Sequence, residues 1–305
     1  MLRFGALSKR SGVARRLVLS ASAKINLALE VLGKRDDGYH EVATVMQAVD
    51  LSDRLVIEDS EILEVRTSAP DVPSDGSNLV ARAAHALREA AAVSRGARIR
   101  LDKRIPVAAG LGGGSADAAA TLVGLSRLWG LRWSVARLDE LAVTLGTDVP
   151  FFLRGGAVLG TGRGERIEPV VGMALPLVLV NPGVGASTPA IYGGVTPAMY
   201  SDGSHVRQMV AALRSRRPAR VAASLYNALE RVAAAAHGQV AQMEAALLAA
   251  GALGAAMSGS GLTVFGVARS FDHARQIRAR VARRSWRCWA VRAIRGPAIR
   301  MRRER

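Results

Sequence analysis

Residues 106–120 read Pro-Val-Ala-Ala-Gly-Leu-Gly-Gly-Gly-Ser-Ala-Asp-Ala-Ala-Ala. Gly110, Gly112, Gly113 and Gly114 stand directly before an alanine- and leucine-rich run with helical spacing. Glycine reaches positive φ without a steric penalty and lets the backbone come close to a ligand. A helix N-terminus offers unpaired N–H groups and the positive end of its dipole, and together these hold anions. The stretch therefore reads as a phosphate-binding bend that opens a helix at Ser115. Ser115 can cap that helix, or meet a phosphate or Mg2+, and Asp117 is expected in the first turn, where it suits the dipole. The bend is not a Walker A loop, because no Lys-Ser/Thr follows it. It lacks the third glycine and the downstream acidic residue of the dinucleotide fingerprint. No HRD or DFG follows, as would be the case in a protein kinase.

Outward from the bend, Ala97–Ile105 alternates like a strand and is stopped by Pro106. On the other side, Ser134 is placed to cap a helix running to Leu145, and the compact turn Gly146-Thr147-Asp148-Val149-Pro150-Phe151-Phe152 follows. Nearer the start, Leu17–Leu32 reads as a pair of strands, Val42–Ile57 as further strand, and Asn78–Ala92 as a helix with Leu79, Ala83, Ala86 and Leu87 on one face. The turn between the first strands holds Gly33, Asp36, Asp37 and Gly38. Arg154–Gly164 predicts a hairpin and Leu175–Val180 a buried strand. Beyond Pro182 the pattern predicts helices near 206–215, 218–233 and 238–250, with strands at Leu262–Val267 and Trp289–Arg292. Four segments result: an extension over 1–17, expected to be disordered or to reflect a start placed too early; domains over 18–165 and 166–296; and a basic tail over 297–305.

The chain has 305 residues and a formal net charge of +17; half of it is apolar, and only 4% is aromatic. Aliphatic residues must therefore build the core. Lys9, Lys24, Lys34 and Lys103 are the only lysines among 42 basic residues, so each is a notable exception to an arginine-rich background. The positive charge suits either steering of anionic small substrates or phosphate contacts with nucleic acid. Much of it lies in runs at the two ends, which are usually solvated. Cys288 is the single cysteine, which rules out an intrachain disulfide and fits a reducing cytoplasm. No apolar stretch of about 20 residues is available to cross a membrane.

The Pro106–Ala120 segment resembles the P-x-x-x-G-L-G-S-S-A motif of the GHMP kinases. Two further strings carry the resemblance: Ala23–Glu41, A-K-I-N-L-A-L-E-V-L-G-K-R-D-D-G-Y-H-E, and Leu145–Phe152, L-G-T-D-V-P-F-F. The resemblance implies an α+β fold of two domains, an N-terminal one like ribosomal protein S5 and a ferredoxin-like C-terminal one, with the active site in the cleft between them. It implies ATP and Mg2+, with Pro106, Val107, Ala108, Ala109, Gly110, Leu111, Gly112, Gly113, Gly114, Ser115, Ala116 and Asp117 around the phosphates. Asn78 matches a position near adenine, although a helix-capping asparagine reads equally well. Lys24 and Asp148 match the family's catalytic pair. Chemically, a carboxylate within hydrogen-bond reach accepts the proton of an attacking alcohol, and a neighbouring ammonium keeps it charged. Ala116 stands where many members have a second serine, which leaves a metal role to Ser115 or to another oxygen ligand.

The GLGGGSADAAA form and the D-G-Y-H-E string are most similar to the branch of the family that phosphorylates a cytidine diphosphate-linked methylerythritol, an isoprenoid precursor. There Tyr39 and His40 would hold the cytosine, Tyr192 (near Thr188) would supply a second aromatic face, and Asn26 would share a strand face with Lys24. Met257–Phe265, M-S-G-S-G-L-T-V-F, resembles the third glycine motif, with Gly259 and Gly261 beside the phosphate loop. The expected partner is thus a small molecule, acted on in the cytoplasm by a monomer or homodimer, without a membrane. The rivals are another GHMP kinase, of the homoserine or mevalonate type, and a non-catalytic basic nucleic-acid-binding protein. The arginine-rich end near Trp286 and Trp289 can be a solvated tail, a partner surface or a nucleic-acid patch.

Overall fold

A computed structural model describes residues 16–302. The expected extension over 1–17 lies outside this range except for Arg16 and Leu17, which begin the first strand. That strand, β1 (Arg16–Lys34), is one long ribbon rather than a pair of strands. It runs antiparallel to β2 (His40–Ser60), and irregularities in register fall between Ser22 and Lys24, Asn26 and Ala28, and Val31 and Gly33. Bulges re-aim side chains and bend the strand, so a sequence that looked like two strands stays a single one with three kinks. The strand β3 (Leu63–Thr67) precedes α1 (Leu79–Ala90), capped by Asn78, whose Oδ1 accepts the Val80 N–H at 2.8 Å. Next come β4 (Gly96–Asp102), α2 (Gly113–Leu128), α3 (Val135–Leu145), capped by Ser134, and the short α4 (Val149–Arg154). The expected hairpin is β5 (Ala157–Thr161) with β6 (Arg166–Val170). Because β6 pairs with β5 in the first sheet, that sheet continues past 165, where the sequence placed the domain boundary.

The second half supplies β7 (Pro176–Asn181), α5 (Thr188–Gly193), α6 (Ser204–Arg214), α7 (Pro218–Ala223), β8 (Tyr226–Asn227), α8 (Glu230–Ala236), α9 (Gln239–Ala249), β9 (Gly254–Met257), β10 (Val264–Val267), α10 (Phe271–Val281), β11 (Arg287–Arg292) and β12 (Ile299–Arg302). The helix expected over 218–233 is broken. Asn227 donates to the carbonyls of Met257 and Gly259, each at 2.8 Å, and β8 pairs with β1, so tertiary bonds override helix propensity there. The described part of the basic end is not a free tail: Trp286 is buried, and β12 pairs antiparallel with Val18–Ala21 of β1, while residues 303–305 of the expected tail lie outside the described residues.

Two sheets result. The first has the path β12-β1-β2-β4-β3, with β5 and β6 attached to β2 and β8 attached to β1; the second is β11-β7-β10-β9. One face of the first sheet packs Leu19, Leu55, Ile57 and Ile99 against Ala119, Leu122 and Leu125 of α2. On the other, Ile25, Leu27, Val45 and Val49 meet Leu177, Leu179, Phe265 and Val267 of the second sheet. Strands β1 and β2 are thus buried on both faces, which accounts for their near-continuous apolar text. The alanines of α2 let its backbone lie close to the sheet, and this fixes where its N-terminus points.

Candidate active site

The glycine bend forms as the residue types require. Gly110 has φ +76° and Gly112 φ +67°. The helix α2 starts at Gly113 with Gly112 as its cap, two residues earlier than expected; Ser115 therefore makes no capping bond, and Asp117 falls in the second turn. The first intrahelical bond runs from Ala116 N–H to Gly112 C=O at 2.9 Å. The amides of Gly113, Gly114 and Ser115 precede it and are the unpaired donors of the first turn.

The bend is bolted to two distant segments. Lys24 N–H donates to Leu111 C=O at 3.0 Å, and Ser258 Oγ donates to Gly110 C=O at 2.9 Å while accepting Asn26 N–H at 3.2 Å. These two amides bond outside the β1–β2 ladder, and because Lys24 and Asn26 stand two positions apart in unbroken register, opposite Ala48 and Met46, their side chains share one face. Lys24 Nζ then lies 2.7 Å from Asn26 Oδ1 and 3.3 Å from Asp148 Oδ2. Asn26 is fixed in turn by Thr44, whose hydroxyl accepts from Nδ2 at 2.8 Å and donates to Ala28 C=O at 2.7 Å. Lys24 is buried, whereas Asp148 keeps 32% of its side chain exposed. Asp148 begins α4 but its carboxylate makes no capping bond, so it is left to Lys24 and to the cleft. Phe151 and Phe152 of that helix are buried in the core and set its position.

A cavity of about 1130 Å3 joins this pair to the bend and to the D-G-Y-H-E turn. Its wall includes every expected site residue except Leu111 and Ala116. Those two are fully buried in the apolar cores on either side of the sheet, because alternate positions of the bend and of α2 must face inward. The ring of His40 lies 5.5 Å from that of Tyr192 at 30°, and 6.4 Å from Tyr200 in an edge arrangement. Burial, and then the charge of Lys34, lower the His40 pKa below its ordinary value and favour the neutral imidazole. Burial, and then the nearby Asp148, raise the Tyr192 phenol. Tyr39 is exposed at the rim, with the Arg163 guanidinium 4.7 Å above its ring. Thr188 and Ser260 share a hydrogen bond of 2.7 Å across the cleft.

Several residues that line or brace the site escaped the sequence reading. Arg163 and Tyr200 come from a hairpin tip and a loop without a motif. Ser258 sat within a quoted glycine string, but only its long-range bonds reveal its work. Lys103, although one of four lysines, gave no clue to its buried ion pairs with Asp53 and Asp117.

Comparison with known proteins agrees with this architecture. Residues 78–156 match the GHMP kinases N terminal domain and residues 209–288 the GHMP kinases C terminal model. A 4-diphosphocytidyl-2-C-methyl-D-erythritol kinase from Pelotomaculum thermopropionicum is 49% identical over 86% of this chain and 93% of its own. A kinase of the same name from Synechococcus sp. is 45% identical over 85% and 87%. A crystal structure of 4-(cytidine 5'-diphospho)-2C-methyl-D-erythritol kinase superposes with a TM-score of 0.79 at 38% identity, covering 90% of this chain and 98% of that one. The mevalonate kinase of L. major, at 18% identity and a TM-score of 0.72, shares the fold. Among the described residues, no helix is long and apolar enough to cross a membrane. With the glycine bend, the lysine–aspartate pair and the D-G-Y-H-E turn all in one cleft, the chain belongs to the GHMP kinases and, within them, to the 4-diphosphocytidyl-2-C-methyl-D-erythritol kinase family.

Proposed function

We propose that the chain transfers the γ-phosphate of ATP to the 2-hydroxyl of 4-diphosphocytidyl-2-C-methyl-D-erythritol, a step toward isoprenoid precursors. One observation carries the assignment of roles: the Lys24–Asp148 pair at 3.3 Å faces the same cavity as the Gly110–Ser115 bend and the Tyr39–His40–Tyr192 group. The bend and the first-turn amides of α2 hold the triphosphate. Asp148 accepts the hydroxyl proton as the new P–O bond forms and the bond to ADP breaks. Lys24 holds the Asp148 carboxylate through their ion pair and offsets charge developing on the attacking oxygen. Asn26 holds the ammonium in place from the opposite side. His40 and Tyr192, with Tyr39 at the rim, take the cytosine by stacking and by its hydrogen-bonding edge. Lys34 and Arg163 also border the cavity, where their charges can offset the diphosphate of the substrate.

The residues present fit Mg2+ of the kind that arrives with a nucleotide. The Ser115 hydroxyl borders the cavity without a hydrogen-bond partner among the described residues, and Asp148 brings a carboxylate to the same cavity. No group of three or more His, Cys, Asp or Glu that could hold a metal occurs among the described residues, which suits an ion bound mainly by phosphate and water oxygens. When bound, the metal neutralises phosphate charge during transfer. We place the reaction in the cytoplasm. The test is coupled ADP release from ATP with and without the cytidylyl alcohol, against homoserine and mevalonate as controls. Turnover that does not depend on the cytidylyl alcohol, or that proceeds equally with a control, removes the assignment.

A further inference from the structure

One cluster of deeply buried ionisable groups takes no part in the transfer described above. Asp53 of β2, Lys103 just past β4 and Asp117 of α2 have side chains 0%, 7% and 2% exposed. Lys103 Nζ donates to Asp53 and, at 2.8 Å, to Asp117 Oδ2. The other oxygen of Asp53 accepts two consecutive amides, Arg104 N–H at 2.5 Å and Ile105 N–H at 2.8 Å. Pro106 and the glycine bend follow at once. On the far side of the bend, Lys103 Nζ would lie 3.2 Å from a Cβ placed on Gly113, the first residue of α2. Lys103 and Asp117 also border the nucleotide end of the cavity, near Asn78 and Leu79.

Both ends of the phosphate loop are therefore tied to one carboxylate in the middle of the sheet. Asp53 orients the chain entering the loop through two amides, and it orients the helix leaving the loop through Lys103 and Asp117. Burying three ionisable groups is costly, and replacement by apolar residues often costs a fold nothing. A triad at this place is better explained by what it positions than by stability. A charge that is pinned between two partners gives one geometry, and the loop amides must converge on a triphosphate within a fraction of an ångström.

We propose that Asp53 is a positioning residue for ATP: acting through Lys103 and through the Arg104 and Ile105 amides, it sets the two ends of the phosphate loop. The proposal rests on the reading of the loop as the ATP site. The binding arms below separate the two, because wild-type protein that binds no ATP analogue fails that reading first.

The experiment compares D53N, K103M and D53N/K103M with wild type in the full chain. Binding of a non-hydrolysable ATP analogue and of cytidine diphosphate is measured by calorimetry, together with both KM values and kcat. D53N keeps the shape and one acceptor but removes the charge that pins Lys103. The expected result is an affinity for the ATP analogue about tenfold weaker in each single variant, with cytidine diphosphate binding within twofold of wild type. The double variant is expected to be no worse than the worse single one, because coupled residues act as a unit. Three outcomes overturn the proposal: ATP-analogue affinity within twofold of wild type in D53N, equal loss for both ligands, or effects that simply add in the double variant. Should K103M fail to fold by circular dichroism, K103R replaces it. That variant keeps the charge while changing its shape, and full ATP affinity in D53N then decides against the proposal on its own.

Discussion

Replacing Gly110 with alanine tests the glycine bend more sharply than any change of charge. The residue has φ +76°, where a side chain costs roughly 1–2 kcal/mol. A Cβ built there would also overlap the carbonyl oxygen of Ser258 and lie 3.0 Å from Gly261 N. Both are backbone atoms, so neither can swing away. Normal contact distances require the two loops to separate by about 1 Å. That separation breaks the 2.9 Å bond from Ser258 Oγ to Gly110 C=O, for about 1 kcal/mol more. The sum is about 2–3 kcal/mol set against the closed loop arrangement. Because a displacement of this size at a site of positioned reactants costs on the order of 100-fold, kcat/KM for ATP should fall by about that factor. Gly130 is the control: its φ is +75°, it lies at the end of α2 outside the cleft, and a Cβ there meets nothing within 4 Å. G130A should lose about 1 kcal/mol of stability and keep its activity. Coupled ADP release and thermal unfolding of both variants read the two effects apart. If G110A turns over within threefold of wild type, or if G130A loses as much activity as G110A, the argument from the bend is wrong.

Asp148→Asn removes the base while preserving shape, and kcat should fall by about 10²–10⁴ while calorimetric binding of ATP persists; full turnover would remove Asp148 from the mechanism. Tyr39→Ala should raise KM for the cytidylyl substrate about 5–150-fold, the equivalent of about 1–3 kcal/mol of stacking, with KM for ATP within twofold; equal rises in both would point to general damage instead. Glu244 provides a pH test remote from the cleft. Burial, and then its neighbour Glu230, push its carboxyl from the usual 4.5 to about 8. The folded state therefore holds a proton that the unfolded chain releases, so this contribution to stability is complete below pH 4.5 and is lost as pH rises through about 8. Melting temperature followed from pH 5 to 9 should decline more steeply in wild type than in E244Q; parallel curves would contradict the shift.

The glycine bend, the Lys24–Asp148 pair and the D-G-Y-H-E turn could be picked out in the sequence because each is a short run whose residue types have few other uses in that order. Asn78 could not be settled from sequence alone. The structure gives it the cap of α1 and a place on the cavity wall at once, so neither reading excluded the other. What could not be read depends on contacts distant along the chain. The break at Tyr226–Asn227 is imposed by carbonyls about 30 residues further on, and the Asp53–Lys103–Asp117 triad joins three elements that share no local pattern. The three kinks in β1 are invisible in its text, since a bulge moves side chains without changing composition. Between two of them Lys24 and Asn26 keep unbroken register, so their shared face follows from the ordinary alternation of a strand.

The pairing of β12 with β1 bears on how the protein should be handled in the laboratory. An arginine-rich terminus invites trimming, or the fusion of an affinity tag close to it. Here Ile299–Arg302 covers the edge of Val18–Ala21, and Ser22 N–H donates to Ala298 C=O at 2.9 Å, two positions before Lys24. Cutting the chain at 297 would strip that edge and leave an apolar strand open to pairing with another molecule. Shortened versions of the enzyme should then clump, or lose turnover, for a cause lying far from the cleft.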